Sequence, residues 1–142
     1  MEAALEDDWR SEVGEGFDFV LASQTVHHLG FEEKAVLFQR THDVVAPGGL
    51  FLLSDRVELP DDRLFPWYHA LWNRARRRHG FDELSGYDLK AHRRQLEVDG
   101  DLPDLMEDHL AWMLEAGFGV VDCFWRHGNR AIFGGLKVKE RG

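Results

Sequence analysis

The sequence predicts an α/β fold: a half-sheet of parallel strands with helices packed on it, completed by a C-terminal antiparallel hairpin. Three observations predict it. Two short apolar runs, Phe17–Ala22 and Leu50–Ser54, flank an amphipathic helical stretch. An Ala46-Pro47-Gly48-Gly49 stop separates that stretch from the second run. Near the end, two strand-like segments surround a turn-rich connection, Arg126-His127-Gly128-Asn129-Arg130.

The elements follow in order. Residues 1–16 are polar and acidic apart from Trp9, and read as a lead-in or short helix. Phe17–Ala22 (FDFVLA) is too short for a stable helix and rich in aromatic and β-branched residues, as suits a strand buried on both faces. In Phe31–Val45, Phe31, Ala35, Phe38 and Val45 share one side of a helix, and Glu32 and Glu33 sit in the first turn, where the helix dipole favours acids. Proline and glycine end it. Strand, helix and strand make a βαβ unit over 17–56, expected to cross over right-handedly with helices on both sheet faces. A helical, lid-like insertion is expected over 57–103, with helices at Leu64–His79 and Asp82–Leu96. Leu102-Pro103-Asp104 then opens a further helix, Leu105–Gly117, whose Met106, Leu110, Met113 and Leu114 form an apolar stripe. Gly119–Trp125 and Ala131–Val138 are the hairpin strands, so 104–142 holds the last helix and the hairpin.

Composition narrows the function. With 142 residues, one domain is expected, and 44% hydrophobic against 30% charged residues describes a globular chain. A net charge of −9 disfavours nucleic acid and anionic membrane as partners. The acidic N-terminus and lack of a long apolar run make a cytoplasmic location the expectation. One cysteine, Cys123, allows no intrachain disulfide and no cysteine metal site; core packing is its expected role. Arg74, Arg76, Arg77 and Arg78 form a local basic run, read as a solvated helix face, with an anion-binding patch as the alternative.

Three stretches then carry a family resemblance. Phe17–Leu29 (FDFVLASQTVHHL) resembles the fourth strand and following loop of the class I S-adenosylmethionine (SAM)-dependent methyltransferases. Val44–Arg56 (VVAPGGLFLLSDR) resembles their fifth-strand motif. Leu110–Phe124 with Asn129–Lys137 resembles their closing helix, Ala-Gly-Phe turn and last two strands. The resemblance spans most of 17–138 and implies the C-terminal half of a Rossmann-like methyltransferase domain, with SAM as cofactor and a small molecule as substrate. It also implies what the chain does not carry: no strand followed by a glycine-rich loop, and no second strand ending in a ribose-binding acid. Gly14-Glu15-Gly16 precedes the first strand and reads as a loop.

In the family's strand numbering the remaining sheet would run 4-5-7-6. Phe17–Ala22 would then be an apolar edge blunted only by Asp18. The expectation is a fragment of a longer protein, with a partner that supplies the missing half as the alternative.

Ligands of open α/β sheets bind beyond the carboxyl ends of parallel strands. By the resemblance, Ala22, Ser23 and Gln24 line the cofactor's methionine end, with His28 beside them. Adjacent residues point apart, so at most one of His27 and His28 is expected to face the site. For His27 two roles stay open: a general base, which makes it the catalytic candidate, and a hydrogen bond that fixes the loop. No metal is expected, because no other ligand has helpful spacing. Asp55 either orients substrate or caps a turn, and Arg56 either meets an acidic substrate or is solvated. Trp67, Tyr68 and Trp72 give the lid an aromatic face, read as substrate contact or core.

Two alternatives accompany the methyl-transfer reading. One is an inactive fragment or interaction module that pairs through its open edge. The other is a relative of carboxy-S-adenosylmethionine synthase, a family similar in its helical, arginine-containing segment and in Gly80–Leu84 (GFDEL).

Overall fold

In the computed structural model, residues 3–140 are described; Met1, Glu2, Arg141 and Gly142, which fall within the expected 1–142 domain range, lie outside them. The sheet order is β1-β2-β4-β3, built from β1 (Phe17–Ser23), β2 (Val45–Arg56), β3 (Val120–His127) and β4 (Arg130–Leu136). β1 and β2 run parallel, with Phe19 opposite Leu50 and Ser23 opposite Ser54. β4 pairs antiparallel with both β2 and β3. This is the order that the resemblance implies.

α2 (Phe31–Val44) leads straight into β2, because Val45 is already extended. The Ala-Pro-Gly-Gly segment was expected to be a turn, but it lies inside β2. There it forms an irregularity: the register jumps from Phe17↔Val45 to Phe19↔Leu50. Gly48 takes a φ of 87°, and its N–H reaches the Lys137 carbonyl at 2.5 Å. Glycine permits this left-handed conformation at no steric cost.

One face of the sheet is covered. α2 and α5 (Met106–Ala116) lie on it, and Leu37 and Phe38 meet Met113, Phe118, Phe51, Leu53 and Phe133 in the core. The Phe38 and Phe51 rings are 5.9 Å apart. Helices were expected on both faces; among the described residues α2 and α5 share one. The reason is register. Val20, Phe51, Leu53 and Phe133 point toward those helices, whereas Phe19, Leu21 and Val120 point away and are exposed. α2, which links β1 to β2, packs on the face those residues point to, and α5 packs beside it. β1 also keeps an outer edge unpaired by any described strand.

The insertion forms a cap of two helices. α3 (Phe65–Arg78) matches the expected helix closely. α4 (Leu89–Asp99) starts later than the expected 82, because Asp88 is the N-cap and accepts from Ala91 N–H at 2.8 Å. Residues 81–84 are instead tied to α3: Arg76 Nε donates to the Asp82 carbonyl, Arg77 pairs with Glu83, and Asn73 accepts from Leu84 N–H. Part of the arginine run thus fastens this loop. Leu102-Pro103-Asp104 lies outside any helix and α5 begins at Met106, since this stretch is held elsewhere: the fully buried Lys34 donates to the Leu102 carbonyl and, at 2.6 Å, to Asp104. The hairpin turn is tighter than the expected five residues. Gly128 has a φ of 59°, and Gly128-Asn129 alone links β3 to β4.

The lead-in is fastened as well. α1 (Arg10–Val13) is a single turn, Trp9 packs against the core, and Gly16 N–H bonds the Val44 carbonyl. No helix among the described residues is long and apolar enough to cross a membrane.

Two predictions follow from this packing. A Cβ on Gly134 would lie 1.9 Å from the Phe51 carbonyl oxygen on the neighbouring strand. Backbone cannot yield cheaply, so Gly134→Ala is expected to lose about 3 kcal/mol in urea unfolding, at the upper end of overpacking costs. His109 is buried between Phe38, Trp112 and Phe133, with Nδ1 2.9 Å from the Leu105 carbonyl. Burial holds its pKa below the ordinary 6.5. Below pH 6.5 the unfolded chain takes up a proton that the folded chain refuses, so this contribution to stability is lost as pH falls. The melting temperature should drop from pH 7 to pH 5, and less steeply in His109→Phe.

Candidate functional site

At the carboxyl ends of β1 and β2 the structure gathers five polar side chains from three distant segments. Asp55, near the end of β2, is 1% exposed. A buried carboxylate must be satisfied by the protein itself. Its Oδ2 accepts the backbone N–H groups of Val26 (2.8 Å) and His27 (3.2 Å), and its Oδ1 accepts that of Arg56 (2.8 Å). His27 Nδ1 lies 2.5 Å from the same Oδ1. Asp55 therefore holds the one-turn 3₁₀ helix Val26–His28 that follows β1. It organises the loop after β1.

The third segment joins α4 to α5. Asp101, buried like Asp55, is salt-bridged through Oδ2 to Arg56 at 2.6 Å. Its Oδ1 lies 3.3 Å from His27 Nε2 and 3.3 Å from His28 Nδ1, yet has no hydrogen bond in acceptable geometry. The Leu102 N–H closes the contact by bonding the His27 carbonyl at 2.6 Å. His27 is thus buried with a carboxylate beside each ring nitrogen. His28 has the opposite character, with half of its side chain in solvent.

Ser23 and Gln24 are exposed at the β1 terminus, and Ala22 is half-buried against the core. Gln24 has a φ of 56°, and no other described non-glycine residue has a positive φ. Its N–H bonds the Ser54 carbonyl at 2.9 Å, so the chain turns sharply where the parallel pair ends. Such left-handed residues persist only when their surroundings impose them, and they gather at ligand sites.

Beside this cluster lies a cleft of about 530 Å³ between the lid and the hairpin turn. Arg56, Trp72, Tyr87, His92, His127 and Asn129 are among its walls. Trp72 Nε1 donates to Asn129 at 3.0 Å, which fastens the lid to the turn. His92 Nδ1 is 3.2 Å from the Tyr87 hydroxyl. Burial, aided by Arg93, pushes the His92 pKa down, so the cleft contains a neutral imidazole at pH 7. Burial likewise raises the Tyr87 phenol.

Of the residues singled out in the sequence, Arg56 and Trp72 line the cleft. Tyr68 stands behind it, accepting from Arg126 at 2.9 Å. Trp67 is 71% exposed and faces solvent. Asp101, Tyr87, His92 and Asn129 were missed. For Asp101, Tyr87 and His92 the only sequence signal was polar or aromatic character inside an insertion whose packing no periodicity reveals, and Asn129 stood out only as a turn residue of the hairpin.

No family model matches the chain. Among curated proteins it is similar to the carboxy-S-adenosyl-L-methionine synthases of Chromohalobacter salexigens (26% identity, 79% of this chain and 40% of that protein) and Stutzerimonas stutzeri (30%, 68% and 38%). The chain spans about two fifths of the length of these relatives. Among solved structures it resembles an O-methyltransferase family protein from Burkholderia thailandensis (TM-score 0.65, 17% identity, 99% of this chain and 36% of that one). It also resembles human N-acetylserotonin methyltransferase in complex with SAM (TM-score 0.60, 14%, 98% and 33%). The fold is that of part of a class I SAM-dependent methyltransferase.

Replacing Asp55 by Ala strands the Val26 and His27 N–H groups and one imidazole nitrogen in a buried site. A loss of about 3 kcal/mol is expected in chemical denaturation, within the range for breaking buried charged networks. A variant as stable as the parent would remove Asp55 from its organising position.

Proposed function

We propose that this chain, which by its fold and its likeness to curated proteins resembles the C-terminal half of a class I SAM-dependent methyltransferase domain, supplies the acceptor side of a methyl-transfer site for a small molecule. The supporting observation is the parallel β1–β2 pair: Ser23 and Gln24 are exposed at the carboxyl end of β1, and Arg56 at the end of β2 lines the lid-covered cleft.

The residues present fit one side of the cofactor. Ser23 and Gln24 are solvent-accessible where the chain reverses, and they would flank the methionine end, with Ala22 behind and His28 beyond. Grip on the nucleoside requires a glycine-rich loop after a strand, and none occurs among residues 3–140. That part is assigned to a polypeptide segment adjoining β1, either in the same protein or in a partner. When bound, SAM supplies an electrophilic methyl group on sulfur.

The chain's own residues do the rest by placement. Transfer to a nucleophile needs alignment more than side-chain chemistry, and a closed cleft keeps water from competing. Trp72 and Tyr87 give the cleft apolar walls suited to a planar substrate. Proton removal from the acceptor falls to His28 or His92 more readily than to His27, whose nitrogens both face carboxylates.

The curated matches favour a second reading, a relative of the carboxy-S-adenosyl-L-methionine synthases. Mass spectrometry of products from the domain completed with a nucleoside-binding half separates the two. Methyl transfer makes a heavier acceptor and S-adenosylhomocysteine, whereas the second reading makes a SAM species that carries an added carboxyl group.

Calorimetry tests the division of labour. The chain alone is expected to bind SAM at about 1 mM or weaker, below 4 kcal/mol of affinity. The completed domain should bind far more tightly. Tight one-to-one binding by residues 1–142 alone would overturn the proposal.

A further inference from the structure

We propose that His27, His28 and Asp101 form a binding site for a divalent transition-metal ion of the zinc class, independent of the methyl-transfer reading. Their ligand atoms, one from each residue, lie within 4.8 Å of one another. Two of the separations, His27 Nε2 to Asp101 Oδ1 and His28 Nδ1 to Asp101 Oδ1, are each 3.3 Å. Zinc bonds of about 2.0–2.1 Å to nitrogen and oxygen place neighbouring tetrahedral ligands about 3.3–3.4 Å apart. The protein thus already holds two edges of the tetrahedron.

Asp101 points to a ligand independently of that spacing. Its side chain is 1% exposed, and Oδ1 has no hydrogen-bond partner. A buried carboxylate oxygen left in this way is costly unless something positive reaches it. Arg56 serves only the other oxygen, Oδ2. The two buried carboxylates, Asp55 and Asp101, share one partly buried guanidinium, Arg56, and carry a formal charge of minus one with it, which a bound cation would offset.

The outer contacts suit the same assignment. A metal-ligating histidine commonly donates its second ring N–H to a carboxylate, which fixes the tautomer and aims the ligating nitrogen. His27 has this arrangement: Nδ1 faces Asp55 at 2.5 Å, so Nε2 is left free toward Asp101. His28 Nδ1 lies 3.3 Å from the Gly100 carbonyl, a weak contact it would give up by moving its proton to the solvent-facing Nε2. The exposed half of His28 leaves an entry path and an open coordination position for water or a substrate oxygen. An ion here would tie the loop after β1 to the α4–α5 connection, at the mouth of the candidate site.

The test is a zinc titration of the full chain, stripped with chelator and lacking any histidine tag, against a chromophoric competitor. One equivalent of Zn²⁺ is expected to bind at about micromolar affinity or tighter, and its binding should raise the melting temperature. Because His28 is half-exposed, His28→Ala should fold normally by circular dichroism while losing at least tenfold in affinity. Asp101→Asn should lose as much. His79→Ala, on the exposed end of α3, should change nothing. Co²⁺ bound by the parent should give visible bands of four-coordinate intensity that vanish in His28→Ala. No saturable Zn²⁺ binding, or binding that His28→Ala and Asp101→Asn leave intact, would overturn the assignment and leave a metal-free cluster of charges.

Discussion

One buried carboxylate sets the geometry of everything at the working end of this sheet. Asp55 cannot be hydrated, so it must collect donors from its own protein, and those within reach are the backbone and side chain of the loop after β1. The loop is therefore fixed to the end of the neighbouring strand. A second buried carboxylate, Asp101, brings the lid-to-α5 connection to the same point through Arg56. Lys34 extends the pattern from α2, with its ammonium on the Leu102 carbonyl and the Asp104 side chain. Three parts of the chain separated by dozens of residues meet because buried charges tolerate no vacancy.

This polar knot sits on an apolar base. Phe38, Phe51, Phe118 and Phe133 fill the space between the sheet and α2 and α5, and His109 is packed among them as a neutral ring. The base gives stability without direction. The knot gives direction, because each hydrogen bond accepts one partner in one orientation. The cleft inherits that order: its Arg56 wall is held by Asp101, and its Trp72 wall by Asn129.

The βαβ unit, α3, the last helix and the hairpin were legible in the sequence, since each depends on local periodicity and turn chemistry. So was the strand order, once the three motifs had been matched to a family. The misses share a cause. The late start of α4 depends on Asp88, one acid among many, and the non-helical 102–104 stretch is held by a lysine seventy residues away. Helices on both faces were expected from strands that are apolar throughout. The single covered face appears only when Phe19 and Leu21 are seen pointing away from α2. His27 could be singled out by position. Its two carboxylate neighbours, Asp55 and Asp101, lie 28 and 74 positions further along and could be found only in three dimensions.

Strand order carries a consequence for how the chain is made. β3 leaves the ribosome before β4, yet its place in the sheet is against β4 and nowhere else. Until β4 is synthesised, β3 has no backbone partner and β2 lacks one of its two. β1, α2 and β2 can assemble as a local unit early, while α5 and β3 wait. Completion of this four-stranded sheet is thus gated by β4, and a nascent chain stalled just short of it would hold out two unpaired ladders together.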